Sequence, residues 1–203
     1  MQDIEKALAD ITDIRNQMAA GHMFRGFGPA VIALTGLFAA LLMAVQLVWP
    51  QSLASSALVL LGWWVFAAVL SVIFIGIEMM SLSRRHHGGL SDSMITHALQ
   101  AFMPIGAVGA VIGIVIFQAR PDLAWMLPGV WQLLIAIGVF HSLKFLPKLI
   151  VIAGGWYFLA GTIVLLLGSQ GNALLPVFMG VPFAVGQWLM ALILHKTLEA
   201  PNG

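Results

Sequence analysis

Apolar residues run through this chain in six long blocks, at residues 28–49, 57–80, 94–117, 124–143, 149–168 and 174–195. A helix needs about 20 mostly apolar residues to cross roughly 30 Å of bilayer hydrocarbon. Each block therefore predicts one transmembrane helix. The breaks carry turn chemistry: Trp49-Pro50-Gln51-Ser52, Arg84-Arg85-His86-His87-Gly88-Gly89, Ala119-Arg120-Pro121-Asp122, Phe145-Leu146-Pro147-Lys148 and Gly168-Ser169-Gln170-Gly171-Asn172. Proline and glycine at such points end helices. The expected fold is an all-α integral membrane protein, a bundle over residues 22–200 made of three in–out–in hairpins.

Residues 1–21 follow a different pattern. Ile4, Leu8, Ile11 and Met18 recur at helical spacing, with Asp3, Glu5, Lys6, Asp10 and Asp13 between them, and Gly21 is a natural stop. This predicts an amphipathic cytoplasmic helix. Its polar face is acidic, whereas anionic lipid favours basic faces. Residues 1–20 are therefore expected to contact a neighbouring copy of the chain or a partner membrane subunit.

Charge sets the orientation. Lys6, Arg15, Arg25, Arg84, Arg85, Lys144, Lys148 and Lys196 fall on one side of the map, and only Arg120 on the other. Basic residues in short loops stay in the cytoplasm, so both termini are expected there, in a bacterial inner membrane. The composition agrees: of 203 residues, 61% are hydrophobic and 8% charged, against about 25% charged in soluble domains. A net charge of +1 without a basic stripe excludes nucleic acid as a partner. Cysteine is absent, which removes disulfides and thiolate chemistry. No uninterrupted apolar core marks a cleavable signal peptide in the first 20 residues, so the first span is expected to insert the chain. Among the aromatics, Trp49 and Trp125 fall at the outer interface and Trp156-Tyr157 towards the inner one. Trp63, Trp64, Trp131 and Trp188 read as packing residues.

The residues that carry candidate chemistry are those that lipid disfavours. Glu78 is the one carboxylate inside a span, six residues before Arg84 and so about 9 Å deeper at the helical rise. With Ser91 or Ser93 as helix cap, His97 falls at a matching depth on the next helix. His141 and His195 end spans four and six at nearly the same level, and Gln100 lies one turn above His97. Gln132 and Gln187 sit nearer mid-membrane. Together these seven outline a polar cavity open to the cytoplasm that binds a proton or polar ligand. Glu78, His97 and His141 are the candidate metal ligands, since His and Glu suit Zn²⁺ or Fe²⁺. The sequence identifies no cofactor: no HExxH, HxxxH or CxxC spacing fixes two ligands on one helix. The plainer alternative is interfacial polarity, with Glu78 paired to Arg84, Arg85 or His97 and long side chains reaching the headgroups.

Two further patterns bear on architecture. Trp131-Gln132-Leu133-Leu134 aligns on Gly186-Gln187-Trp188-Leu189, a faint sign of repeated hairpins. Gly106, Gly109, Gly113, Gly154, Gly155 and Gly161 suit close helix contact, and Pro104 and Pro182 are placed to kink their spans. The outline of six helices with both ends inside is similar to the substrate-binding subunits of vitamin-uptake transporters, without a shared motif. Three functions follow as expectations. The first is a transporter or its substrate-binding membrane subunit. The second is an accessory or regulatory subunit of a larger membrane complex, and the third a metal-dependent membrane enzyme acting on a lipid or quinone.

Overall fold

The computed structural model describes residues 28–85, 90–144, 146–170 and 175–199, with the side chains of 82–99 and 198–199 outside that description. The expected helix of residues 1–21 lies outside it too. The described residues are all helical or in turns, with no strand. The six long helices are α1 (Pro29–Val48), α2 (Ala57–Arg85), α3 (Leu90–Ala119), α4 (Leu127–His141), α5 (Val151–Ser169) and α6 (Val177–Glu199). Tight 3-10 turns at Pro121–Met126, Ser142–Lys144 and Lys148–Ile150 lengthen α4 and α5, and a one-turn helix, Pro50–Leu53, links α1 to α2. All six, counted with these turns, are long and apolar enough to cross a membrane.

Local chemistry explains the boundaries. Pro29 opens α1, where its missing N–H costs nothing. Pro50 restricts the backbone of Trp49, and α1 ends there. The third helix starts at Leu90, ahead of the serine caps expected at Ser91 or Ser93.

Packing cuts across the expected hairpins. The most extensive contacts join α1 to α6 and α4 to α5, while α2 and α3 touch little. Glycine explains both strong contacts. A Cβ at Gly129 would lie 2.8 Å from the Gly161 carbonyl oxygen, and one at Gly161 would lie 2.9 Å from that of Gly129. The two backbones meet directly, as small residues allow in membrane helices. In the α1–α6 contact, Gly36 receives the Trp188 ring and Gly180 receives Met43. Of the six glycines singled out by sequence, Gly154 and Gly161 make close contacts, and Gly109 and Gly113 sit at ordinary distance beside Trp131. Gly106 and Gly155 face open space, because one residue turns a helix by about 100° and carries a neighbour off the contact face.

The aromatics need two corrections. Trp63 is 40% exposed, edge-on to Phe66, while its neighbour Trp64 is buried. Tyr157, read as lying towards an interface, is wholly buried. The alternation at Trp63-Trp64 is again helical phase, which composition does not reveal.

At the Arg120 end, buried Gln46 ties the first turn together. Its amide nitrogen donates to the carbonyls of Leu53 (3.1 Å) and Leu60 (3.2 Å), and its oxygen accepts from Trp64 Nε1 at 3.0 Å. Nearby, Arg120 and Asp122 form a two-pronged pair at 2.9 and 2.7 Å, both exposed. The carboxylate beside it holds the Arg120 guanidinium above its ordinary pKa and neutralises the lone basic residue at that end.

Candidate functional site

Pro182 lies inside α6. Having no N–H, it leaves the carbonyl four residues earlier, that of Phe178, without its helical partner. Gln132 of α4 fills the gap: its Nε2 donates to the Phe178 oxygen at 2.6 Å. A carbonyl only accepts, so the amide must present its NH₂ group there. Its Oε1 is thereby turned away, buried and without a hydrogen-bond partner. Gln132 itself is fully buried, its Cβ seated against Gly161 of α5. Trp156 adds a second tie, donating from Nε1 to the Pro182 carbonyl at 2.9 Å.

Tyr157 stands one turn from Gly161 on α5. Its ring occupies the space that a side chain at Gly186 of α6 would fill, and it meets Phe183 edge-on at 5.7 Å. Its hydroxyl is buried and meets no group at hydrogen-bond geometry; the half-buried Gln187 side chain comes near it. Gly161, against which Gln132 rests, and Tyr157 are four apart on α5, about 6 Å along the axis. The α4–α5–α6 contact thus holds two unsatisfied polar atoms, Gln132 Oε1 and Tyr157 Oη, at neighbouring depths. Leaving one such group unpaired costs about 1–3 kcal/mol.

Glu78 occupies a separate position at the opposite end from Arg120. Its carboxyl rests on Gly28, the residue before α1, accepting from the Gly28 N–H. Any side chain at Gly28 would overlap it. A carboxylate there faces the positive end of the α1 dipole. The sequence pointed to Arg84, Arg85 or His97 as partners; all three side chains, and so the Glu78–His97 pairing, lie outside the described residues, as do His22, His86 and His87. Glycine is the partner that the sequence did not reveal, because a backbone amide leaves no mark in composition.

The remaining candidates are spread out. Gln100, His141 and His195 are exposed on the bundle surface. Among the described residues no group of three His, Asp or Glu side chains is arranged to hold a metal, and His97 of the candidate set lies outside them. Sequence reasoning missed Tyr157 and Gln46. Tyr157 is the single tyrosine of the chain, set among Ala153, Gly154, Ala160 and Gly161, and that ring of small neighbours was the available signal. Comparison with known proteins finds no match among family models, curated sequences or solved structures.

Proposed function

We propose that this chain is a bacterial inner-membrane transporter, or the substrate-binding membrane subunit of one, acting on a small polar ligand. The observation that supports this is the pair of unsatisfied atoms, Gln132 Oε1 and Tyr157 Oη, buried in an otherwise apolar core. Unpaired polar groups inside a membrane are expensive and mark ligand pathways. The pair lies on the two helices packed against the one that Pro182 interrupts, and broken or kinked spans build the sites of many carriers. In this reading Glu78, His141 and His195 lie towards the cytoplasmic end. Vesicles carrying the full chain, shrunk with a panel of glycerol, urea, acetamide, sodium acetate and methylammonium chloride, are expected to recover volume faster than empty vesicles for at least one solute. Equal recovery across the panel, together with no binding of any of them, rejects the reading.

In this reading the bundle crosses the membrane six times with both termini in the cytoplasm. Lys144, Lys148 and Lys196 lie at one end, and at the other Arg120 is neutralised by Asp122. A reporter fused after Gly203 is expected to be active only in a cytoplasm-dependent form, and one inserted at Ser169 only in a periplasm-dependent form. An external C-terminus overturns the orientation.

The accessory-subunit reading has its own support. On α2, Val65, Phe66, Val69, Val72 and Ile73 are 48–69% exposed, a long apolar face that suits a partner helix as well as lipid. Cross-linking from Phe66 in native membranes separates the two: a reproducible partner chain favours the accessory role. Deleting residues 1–20 is the companion test for assembly through that segment.

A further inference from the structure

Resting on the transporter reading, the buried pair also constrains the class of ligand. The described buried polar residues are Thr35, Gln46, Gln132 and Ser142. Thr35 and Ser142 bond back to their own helices, at Ile32 (2.8 Å) and Val139 (2.7 Å). Gln46 is satisfied at both ends of its amide. Gln132 alone of these four keeps an unpartnered atom, Oε1; the Tyr157 hydroxyl is a second such atom in the core, and Glu78 Oε2, at the end of the bundle, a third. Gln132 offers an acceptor and Tyr157 a donor that also accepts.

Among the described side chains no charged one belongs to this core. The described charged residues lie at the two ends: Glu78, Lys144, Lys148 and Lys196 at one, Arg120 and Asp122 at the other. An ion placed between Gln132 and Tyr157 would lose its hydration without a counter-charge, which costs far more than two neutral hydrogen bonds return. A neutral group that both donates and accepts meets the two atoms without that penalty. We infer that Gln132 and Tyr157 bind an uncharged hydroxyl- or amide-bearing solute of a few heavy atoms, the Gln132 oxygen accepting from it and the Tyr157 hydroxyl donating to it. On α5, Gly161, against which Gln132 rests, and Tyr157 are about 6 Å apart along the axis, a step that suits such a molecule.

The single tyrosine makes this measurable. Tyrosine labelled with ¹³C at Cζ gives one resonance, from Tyr157, in the full chain reconstituted in nanodiscs. Titration with glycerol, urea or acetamide is expected to move that resonance saturably with at least one of the three. Sodium acetate and methylammonium chloride, of similar size, are expected to leave it in place. Gln132→Met, which keeps the volume, should weaken the apparent affinity at least tenfold. A saturable shift with the charged probes alone overturns the uncharged class while leaving the core as a binding site. Unchanged affinity in Gln132→Met removes Gln132 from the contact. No shift with any probe rejects both the inference and the site on which it rests. The wild-type titration decides between the classes whatever the folding of the variant.

Discussion

Gly161→Leu is expected to lower the thermal unfolding temperature in detergent by roughly 6–12 °C, while Gly155→Leu on the same helix leaves it within a degree or two. At position 161 the first added carbon already lies 2.9 Å from the Gly129 carbonyl oxygen and 3.1 Å from both Gln132 Cβ and Leu133 Cγ. A side-chain tip could swing aside, but a backbone carbonyl moves only with its helix, so α4 and α5 must part. Overpacking of this kind costs about 1–3 kcal/mol. Each kcal/mol corresponds to about 2–4 °C in a chain of this length, which gives the stated range at the upper end. At Gly155 no atom lies within 4 Å of an added Cβ, and glycine is itself about 1 kcal/mol poorer than alanine inside a helix. Gly155→Ala should therefore be neutral or stabilising. Equal losses at both positions would show that glycine serves the helix in some way other than by letting α4 meet α5.

The contrast between these glycines shows how far the sequence could be read. Six apolar blocks were legible because crossing a bilayer demands a length and a composition, and both are properties of a one-dimensional string. The helix limits in the structure fall within a few residues of them. The partners of each helix were not legible. Adjacent hairpins were the natural expectation for short loops, yet α1 packs most on α6, through Gly36–Trp188 and Met43–Gly180. Those pairings depend on helical phase, which an apolar span with little amphipathic contrast does not declare. The same limit governs the candidate site. Gln132 and Gln187 stood out as polar residues deep in apolar spans, whereas the role of Pro182 in fixing the Gln132 amide appears only once α4 lies against α6. Tyr157 read as an interfacial aromatic because its burial depends on Gly186, 29 residues further along the chain.

Gln46→Leu is expected to destabilise the fold by about 2–5 kcal/mol, and Trp64→Phe to recover part of that loss rather than add to it. Gln46 is fully buried and reaches three groups: the Leu53 carbonyl in the turn, the Leu60 carbonyl in α2 and the Trp64 indole. Leu60 keeps its ladder partner in α2 when the amide is removed. The part-buried Leu53 carbonyl and the buried Trp64 N–H lose the partner that Gln46 gives them, and a fully buried orphan costs about 1–3 kcal/mol. Trp64 cannot turn to solvent in compensation, being 5% exposed and stacked on Phe183 at 6.3 Å. In Trp64→Phe the donor disappears with its partner, and exchanging both members of a bonded pair for apolar groups comes close to neutral in its hydrogen-bonding part. The ring change in Trp64→Phe leaves a packing deficit of its own, so the single variant must be measured beside the double. Contacting residues of this kind show coupling of about 0.5–3 kcal/mol. The expected sign is a double variant more stable than the two single losses predict. Strict additivity would mean that the Gln46–Trp64 bond contributes nothing, leaving the Leu53 carbonyl as the whole reason for a glutamine at that depth.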